Sequence, residues 1–317
     1  MSNQFKKIPL IVIAGPTASG KTKLAVELAK KYNGEVVSAD SMQIYKYMNI
    51  ASAKPTEEEM QGIPHHLIDI FEPDHNFSVA EYVKMAKEAI ADIHLRNKTP
   101  ILCGGTGLYI SSLIDNVKFD DTGNDDLIRL KLQDEAERYG NHYLWEKLNK
   151  IDPETASKVH ENNLSRVIRG IEVFELTGIK LSEHKINSRK EITPFDSCVI
   201  GLTFSDRALL YDRINSRVDS MIENGLVDEA KYMYENCKTA TSKQAIGYKE
   251  LIPYFENLCS LESCVEKIKQ ETRHYAKRQL TWFRRIDGIQ WIQIDKFDKY
   301  KNFIEKVENV IAKSFIL

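Results

Sequence analysis

The chain contains 317 residues, of which 42% are apolar and 28% are charged, and its formal net charge is −2. This composition excludes a disordered chain and predicts an ordinary globular protein with one main domain and an insertion or second lobe. Because the net charge is close to neutral, a nucleic-acid partner would have to be met by a local basic surface.

Five cysteines without CxxC spacing support neither a disulfide framework nor a structural zinc site, and they favour a reducing cytoplasm. The N-terminal segment does not resemble a signal peptide. No stretch approaches the roughly 20 apolar residues of a membrane span. We therefore expect a cytoplasmic protein without membrane segments.

Short runs rich in Val and Ile predict buried parallel strands at 8–14, 35–39, 66–70, 100–104, 198–204 and 289–294. Helical patterns at 21–32 and 78–97 separate the early runs, and longer helices are predicted at 206–234 and 261–285. A last helix follows the last strand. Alternating strands and helices imply a parallel sheet with right-handed crossovers.

A phosphate-binding motif follows the first predicted strand. Residues 15–22, Gly-Pro-Thr-Ala-Ser-Gly-Lys-Thr, match the P-loop pattern GxxxxGK[ST] and open a predicted helix. Backbone N–H groups and the helix N-terminus favour a diphosphate or triphosphate. Lys21 would reach terminal phosphate oxygens, and the Thr22 hydroxyl is a candidate Mg²⁺ ligand. The alternative is a chance glycine-rich turn.

The second predicted strand leads into Asp40-Ser41-Met42-Gln43. Its carboxyl end should lie near the P-loop, because ligands of open α/β sheets collect at that edge. Asp40 is a candidate base for an amine or a hydroxyl nucleophile. Ser41 and Gln43 are candidates for hydrogen bonds to a base edge. The alternative role of Asp40 is a helix N-cap.

The pair His65-His66 is a candidate for a metal site. Adjacent residues of a strand point to opposite sides, so they would not normally chelate one ion together. Local packing or a hydrogen bond is the favoured interpretation.

The fourth predicted strand ends in Cys103-Gly104-Gly105-Thr106-Gly107. A nucleotide kinase would place an Asp at such a strand end to hold Mg²⁺. This turn instead presents backbone N–H groups and the Thr106 hydroxyl, which suit a second contact to an anionic group. A tight turn without a ligand is the alternative.

Strand patterns disappear from about 118 to 188, where the sequence becomes charged and helical. Asp152-Pro153 predicts a helix start. An apolar stripe then marks one helix face at Leu164, Val167, Ile168, Ile171 and Phe174, and Gly178 predicts its end. The predicted fold is α/β, a P-loop NTPase-like parallel sheet flanked by helices. It divides into core residues 1–117, an all-helical insertion at 118–190, and core residues 191–317 with basic C-terminal helices.

The helix predicted at 261–285 carries a basic cluster with interleaved aromatic residues. Its members are Lys269, Arg273, Tyr275, Lys277, Arg278, Trp282, Phe283, Arg284 and Arg285. Such a surface favours RNA phosphate contact and base stacking, and a solvated face paired with acidic helices is the alternative. Arg213 and Arg217 share a helix face, and one of them is a candidate diphosphate ligand. Arg166 and Arg169 are candidate RNA contacts.

In this order the motifs resemble one family, the bacterial tRNA dimethylallyltransferases, also called tRNA isopentenyltransferases. The similar segments are GPTASGKT (15–22), DSMQIY (40–45), AKPT (53–56), GIPHHLID (62–69), FSVAEY (77–82), GGTGLY (104–109), SRVIRGIEVFELTG (165–178), GLVDEA (225–230), QAIGYKEL (244–251) and RQLTWFRR (278–285).

The resemblance implies transfer of the dimethylallyl group of dimethylallyl diphosphate to N6 of adenosine 37, in tRNAs that read codons starting with U, with release of diphosphate. The partners it implies are the tRNA anticodon stem-loop, onto which the helical insertion swings, and dimethylallyl diphosphate. Mg²⁺ would assist, with Thr22 as a ligand. The P-loop is of the nucleotide- and ATP-binding type, yet no nucleoside triphosphate is consumed. We expect a monomer.

The resemblance also implies residue roles. Asp40 is the base at N6, and Thr106 lies near the bridging oxygen and the diphosphate. The donor diphosphate is assigned to Gly15, Thr17, Ala18, Ser19, Gly20, Lys21, Thr22 and Arg217. Contacts to tRNA are assigned to Asp40, Ser41, Met42, Gln43, Thr106, Arg129, Ser165, Arg166, Val167, Ile168, Arg169, Ala245, Ile246, Gly247, Tyr248, Lys249 and Glu250. The basic cluster adds Arg273, Lys277 and Arg278 to this predicted RNA surface.

The chain departs from the family pattern in the loop after residue 45, where Tyr47 and Ala51 replace the usual glycines. We expect a bacterial-type enzyme without the C-terminal zinc finger of eukaryotic relatives. Three other functions compete: a P-loop small-molecule kinase, an adenylate isopentenyltransferase acting on free nucleotides, and a noncatalytic RNA-binding protein. The Gly-Gly-Thr-Gly turn, the helical insertion and the basic helix favour tRNA prenylation.

Overall fold

A computed structural model describes residues 7–119, 125–188, 192–237 and 244–315. The chain forms two compact units, one made of Met1–Ile114 with Thr193–Leu317 and the other of Asp115–Ile192. Within the described residues, no helix is both long and apolar enough to cross a membrane.

The first unit is built on a six-stranded sheet in the order β3-β2-β4-β1-β5-β6. Its strands are β1 (Ile8–Ala14), β2 (Gly34–Ser38), β3 (His65–His66), β4 (Thr99–Gly104), β5 (Phe195–Thr203) and β6 (Gln290–Gln293). All neighbouring strands are parallel. The predicted α/β fold with a parallel sheet is confirmed.

Helices cover both faces of this sheet, as the apolar strands require. In chain order they are α1 (Lys21–Lys31), α2 (Glu57–Met60), α3 (Val79–Leu95) and α4 (Gly107–Ile114) before the second unit, and α10 (Arg207–Glu223), α11 (Leu226–Asn236), α12 (Ile252–Phe255), α13 (Leu261–Phe283) and α14 (Tyr300–Ser314) after it. One core layer packs β1 against α1 and α14, and the other packs the opposite sheet face against α3, α4 and α13.

The register of the sheet brings three loops to one edge. Ala14 at the end of β1 pairs with Gly104 at the end of β4, and Ser38 of β2 pairs with Cys103. The residues that follow these strand ends therefore start side by side. They are the P-loop, the Asp40 turn and the Gly-Gly-Thr-Gly turn.

Two predicted elements differ from the structure. The strand predicted at 66–70 is only His65–His66 long, because Leu67 and Asp69 adopt left-handed φ angles of 63° and 56°. The helix predicted at 206–234 is two helices, α10 and α11. The chain turns between them at Gly225, which has φ 96°, a conformation that a continuous helix does not allow.

The histidine pair at β3 makes local hydrogen bonds, as the favoured interpretation predicted. The His65 Nδ1 atom lies 2.9 Å from the Ile63 carbonyl oxygen, and the His66 Nε2 atom lies 2.7 Å from the Glu35 carboxylate. Glu35 is buried and also accepts from Arg96 and Lys98. Its pKa is held well below the ordinary range, chiefly by the Arg96 guanidinium.

The second unit is helical, with α5 (Asp126–Tyr139), α6 (Asn141–Ile151), α7 (Pro153–Ala156), α8 (Leu164–Thr177) and α9 (Leu181–Asn187). The predicted start at Asp152 is confirmed, since its carboxylate accepts from the Thr155 N–H at 3.0 Å. The predicted stop is also confirmed, with Gly178 in a left-handed cap. Val167 and Ile171 of the predicted stripe lie in the core of this unit.

Candidate functional site

The P-loop connects β1 to α1 and is shaped by its backbone. Ala18 and Gly20 take left-handed φ angles of 61° and 79°, which turn the chain into the first residue of α1. The helix N-terminus has no acidic residue in its first turn, so its positive potential is uncompensated by its own side chains. Ser19 contributes a buried hydroxyl that has no hydrogen-bond partner among the described residues. These features suit a bound anion.

Lys21 is the cation of this loop. Its ammonium donates to the Pro16 carbonyl oxygen at 2.8 Å, within the P-loop itself. Its pKa is lowered from 10.5 to about 8, chiefly by burial and also by the nearby Arg217 guanidinium, while Cys103 and Asp40 oppose the shift. A phosphate anion beside this ammonium would relieve both the desolvation and the repulsion between the two cations.

Two arginines of α10 approach the P-loop in different ways. Arg213 donates from Nε to the Ala18 carbonyl oxygen at 2.8 Å, so it holds the loop backbone. Arg217 is half-buried, and burial lowers its pKa while Asp40 raises it. Of the pair, Arg217 therefore has its charge close to Lys21 and Asp40, where a diphosphate would need it.

Asp40 lies at the end of β2 in a turn, and no helix begins there, so its alternative role as a helix N-cap is wrong. Its Oδ1 atom accepts from the Met42 N–H at 2.9 Å. Burial raises the pKa of the carboxyl group, against the opposing effects of the Met42 N–H and Lys21. A carboxylate with a raised pKa is a stronger base than an exposed aspartate.

Thr106 joins the Asp40 turn to the Gly-Gly-Thr-Gly turn. Its Oγ1 atom accepts from the Ser41 N–H at 3.0 Å, and its own N–H donates to the Ala39 carbonyl oxygen at 3.0 Å. Gly104 packs so tightly on Ala39 that a Cβ atom there would lie 2.2 Å from the Ala39 oxygen. Asp40 and Thr106, predicted to act together, are thus brought together by the backbone.

Two residues of α13 face this site: Gln279, which sequence reasoning did not single out, and Tyr275, which it placed in the RNA-stacking cluster instead. Gln279 is 5% exposed; its Oε1 atom accepts from the Thr17 N–H, and its Nε2 atom donates to the Gly105 carbonyl oxygen, each at 2.9 Å. Tyr275 lies against Thr106 and Asp40, and burial raises its pKa. One sequence signal could have identified Gln279. It is a polar residue three positions after Ala276, on the otherwise apolar face of α13. Because the Thr17 N–H donates to Gln279, the predicted contact of Thr17 with the donor would have to be made by its hydroxyl group. That contact stays a prediction.

Four of the nine members of the basic cluster are exposed, namely Lys277, Arg278, Arg284 and Arg285, whereas the predicted stacking residue Phe283 is buried in the core. Lys269 pairs with Asp219 at 2.8 Å, as the alternative of a paired surface predicted, and Arg273 donates to Asn215 at 2.7 Å. Lys277 and Arg278 are exposed, and no acidic side chain of the described residues lies within ion-pair distance of either. Arg278 lies 5.8 Å from the Tyr275 ring centroid. Cationic surface area is therefore left for an anionic partner.

The predicted RNA segment at 245–250 is tied to the loop at 49–51 by Glu229. This carboxylate accepts from three consecutive N–H groups, Asn49 and Ile50 at 2.8 Å and Ala51 at 2.9 Å, and from the Tyr248 hydroxyl at 2.8 Å. Within the segment, the side chains of Ala245, Tyr248 and Glu250 are buried. Glu229 is a second functional candidate that the sequence reasoning did not single out.

Tyr47 shows how this chain adapts to a missing family glycine. It adopts a left-handed φ of 65°, which costs a non-glycine residue about 1 kcal/mol. The residue is 52% exposed, and its ring packs edge-on against Tyr232 with centroids 6.2 Å apart.

In the helical unit, the predicted RNA residues divide into three groups. Val167 and Ile168 are buried in the unit's core. Arg129 and Arg169 bind the fully buried Glu172 carboxylate at 2.8 Å and 2.7 Å. Ser165 and Arg166 are exposed. Contact of this unit with RNA stays a prediction. Of the residues predicted to make it, Ser165 and Arg166 are the most exposed.

The implied Mg²⁺ fits the residues present. No cluster of three or more His, Cys, Asp or Glu that could hold a metal occurs in the described parts of the chain. Mg²⁺ commonly takes only one or two protein ligands and completes its shell with substrate phosphates and water. The Thr22 hydroxyl at the first turn of α1 suits that arrangement.

Known proteins resemble this chain along most of its length. The family model described as IPP transferase matches residues 43–286. The chain is 52% identical to a tRNA dimethylallyltransferase of Thermoanaerobacter sp. (strain X514) over 309 residues, which is 96% of each protein. It is 51% identical to that of Caldanaerobacter subterraneus subsp. tengcongensis, over 96% of this chain and 98% of the relative.

Solved structures show the same relationship. The tRNA isopentenylpyrophosphate transferase of Bacillus halodurans superposes with a TM-score of 0.73 at 44% identity, covering 97% of both chains. A eukaryotic dimethylallyltransferase acting on tRNA superposes with a TM-score of 0.78 at 34% identity, covering 95% of this chain and 79% of that one. With the family model matched over most of the chain and relatives at half identity along nearly all of it, the protein belongs to the IPP transferase family, the tRNA dimethylallyltransferases.

Proposed function

We propose that this enzyme transfers the dimethylallyl group of dimethylallyl diphosphate to N6 of adenosine 37, in tRNAs that read codons starting with U, and releases diphosphate. The observation that carries the proposal is the convergence of the P-loop with Asp40 and Thr106 at one edge of the sheet. The two substrates are supported by the relatives, which are named tRNA dimethylallyltransferases.

The chemistry needs leaving-group stabilisation, alignment and removal of one proton. The bond between C1 of the donor and the diphosphate oxygen breaks, and a bond between N6 and C1 forms. Lys21, Arg217 and the P-loop N–H groups hold the departing diphosphate, with Thr106 near the bridging oxygen. Thr22 would hold Mg²⁺, whose charge would offset part of the charge of the diphosphate. The proton of the alkylated amine passes to the Asp40 carboxylate.

Adenosine must leave the stacked anticodon loop to reach this site, as in base flipping. The exposed Lys277 and Arg278 supply phosphate contacts, with Arg273 beside them, and exposed Ser165 and Arg166 supply contacts from the helical unit.

We propose a cytoplasmic monomer. Its five cysteines are free thiols, as expected in a reducing compartment.

One experiment tests the assignment against its competitors. The full chain is incubated with Mg²⁺, labelled dimethylallyl diphosphate, and either an anticodon stem-loop containing A36-A37-A38 or AMP. We expect label on the RNA and none on a matched stem-loop with G at position 37. Label on AMP but not on RNA would identify an adenylate isopentenyltransferase, and ATP-dependent phosphorylation without prenyl transfer would identify a kinase.

The pKa of Lys21 gives a pH prediction. Below its folded value of about 8 the ammonium is charged and holds diphosphate, and above that value the charge is lost. Because kcat/KM reports the groups of the free enzyme, kcat/KM for the donor should fall as pH rises through about 8. A guanidinium stays charged, so Lys21→Arg should remove this alkaline limb. An unchanged limb in that variant would assign it to another group.

Glu229 gives a prediction about RNA affinity. Glu229→Gln replaces one acceptor oxygen by an NH₂ group facing backbone N–H donors, which should loosen the loop at 49–51 and the segment at 245–250. We expect KM for the stem-loop to rise about 10-fold, equivalent to the loss of roughly one charged hydrogen bond. KM for the donor should stay unchanged. The neighbouring exposed Asp228→Asn is the control, and an equal rise in that variant would contradict the role of Glu229.

A further inference from the structure

A buried amide connects the two halves of the site. Gln279 reaches from α13 between the P-loop and the Gly-Gly-Thr-Gly turn and hydrogen bonds to the backbone of both, to Thr17 N and Gly105 O at 2.9 Å each. With 5% of its surface exposed, it has little water as an alternative partner. We propose that Gln279 is a positioning residue that sets the distance between the leaving-group pocket and the base, a role that rests on the proposed prenyl transfer.

The two contacts fix the amide in one orientation. The Thr17 N–H can only donate and the Gly105 carbonyl can only accept, so the Gln279 oxygen must face Thr17 and its NH₂ must face Gly105. Neither an apolar side chain nor a carboxylate satisfies both partners. Gly105 is required for the same contact, because a Cβ atom there would lie 2.3 Å from Nε2.

The sheet does not hold these two loops at a fixed spacing by itself. The ladder between β1 and β4 ends at the pair Ala14–Gly104, and both chains leave the sheet directly afterwards. Gln279 joins them beyond the last ladder pair, on the side where the P-loop runs to Lys21. From Gly105 the connection continues to Thr106, whose backbone N–H donates to Ala39 beside Asp40. Gln279 thus links the diphosphate cradle to the base.

Spacing matters because the reacting C1 atom must lie in line between the diphosphate oxygen and N6. A misplacement of about 1 Å can cost on the order of 10²-fold in rate. Both polar atoms of Gln279 contact backbone groups, so its role is to hold the two loops. Its loss should therefore appear in kcat and leave the KM values of both substrates nearly unchanged.

Two substitutions separate positioning from mere packing. Gln279→Met keeps the volume and removes both hydrogen bonds, so we expect kcat to fall about 10²-fold with each KM within about 3-fold of the wild type.

Gln279→Glu should give a pH-dependent kcat. When protonated, its carboxyl group accepts from Thr17 and donates to Gly105, whereas the ionised form repels the Gly105 carbonyl. The ratio of its kcat to that of the wild type should rise as pH falls.

The matched controls are Gln270→Met and Gln270→Glu. Gln270 lies on the same helix with an exposed side chain, and both variants should follow the wild type at every pH. Circular dichroism and binding of a non-reactive thiolo analogue of dimethylallyl diphosphate confirm that each variant is folded with an intact donor site.

The outcomes are distinct. A folded Gln279→Met enzyme with wild-type kcat, a loss confined to KM, or a pH-independent Gln279→Glu ratio would each overturn the positioning role while leaving the proposed function intact. If Gln279→Met does not fold, the Gln279→Glu profile decides alone. A wild-type enzyme that transfers no prenyl group to RNA would overturn the proposed function, and this inference with it.

Discussion

Asp40→Asn should lower kcat about 10³-fold, which is the usual size of a lost general base. Asparagine has nearly the same shape and keeps an oxygen for the Met42 N–H, which the aspartate accepts at 2.9 Å, so the turn should hold. The amide cannot take the proton of the alkylated amine. Donor binding should be equal or tighter, because a negative charge near the diphosphate is removed. Single-turnover transfer to the stem-loop and separate titration with the thiolo analogue measure the two effects.

The controls follow from the chemistry of the same site. Asp40→Glu keeps a carboxylate and should retain more activity than Asp40→Asn. The exposed Asp92→Asn should leave kcat unchanged. In the wild type, activity should fall as pH falls through the raised pKa of Asp40, since the protonated carboxyl cannot accept a proton, and this acid limb should be missing in Asp40→Asn. Wild-type turnover in Asp40→Asn would show that another group takes the proton.

Much of this site could be predicted because its residues come directly after the carboxyl ends of predicted strands. The P-loop pattern fixes a strand before residue 15 and a helix after residue 20, and both are found. Once the strands are parallel, their carboxyl ends must share one edge, which places Asp40 and Thr106 beside Lys21 without further information. Local sequence patterns and one topological rule were sufficient for these residues.

Gln279 was out of reach for the opposite reason. Its two hydrogen bonds span 262 and 174 positions of the chain, and they depend on how α13 packs on the sheet. The helical pattern shows which face is apolar, but it does not show which loop that face meets. Glu229 is similar, because its carboxylate connects Tyr248 to a loop that lies 178 to 180 positions earlier in the chain than Glu229.

The two misassigned elements have local causes. A glycine inside an otherwise helical pattern is often tolerated, so the pattern at 206–234 hid the break at Gly225. The apolar run at 66–70 has strand-like composition, yet Leu67 and Asp69 leave the extended region in order to meet the loop at 43–44, where the Asp69 N–H donates to the Gln43 carbonyl at 3.1 Å. Tertiary hydrogen bonds outweighed strand propensity there.

Lys21→Met should lower kcat/KM for the donor by about 10²–10³-fold, the range seen when one preorganised charge-stabilising group is removed. Methionine keeps the apolar stem of the side chain, so the change removes charge with little loss of packing. Negative charge on the diphosphate grows as the C1–O bond breaks. The ammonium therefore stabilises the transition state more than the bound donor, and kcat should fall as well as KM rise.

Lys23→Met is the matched control for this effect, because it removes an equal charge from the same turn of α1. The Lys23 side chain is exposed, and its ammonium lies 4.1 Å from the Tyr300 ring centroid on α14. If general positive potential at the helix N-terminus attracted the donor, both variants would lose donor affinity and salt would weaken both alike. If the half-buried ammonium acts on the leaving group, only Lys21→Met should lose kcat, and the loss should persist at high salt. Equal losses in the two variants would reassign the role of Lys21 from leaving-group stabilisation to long-range attraction.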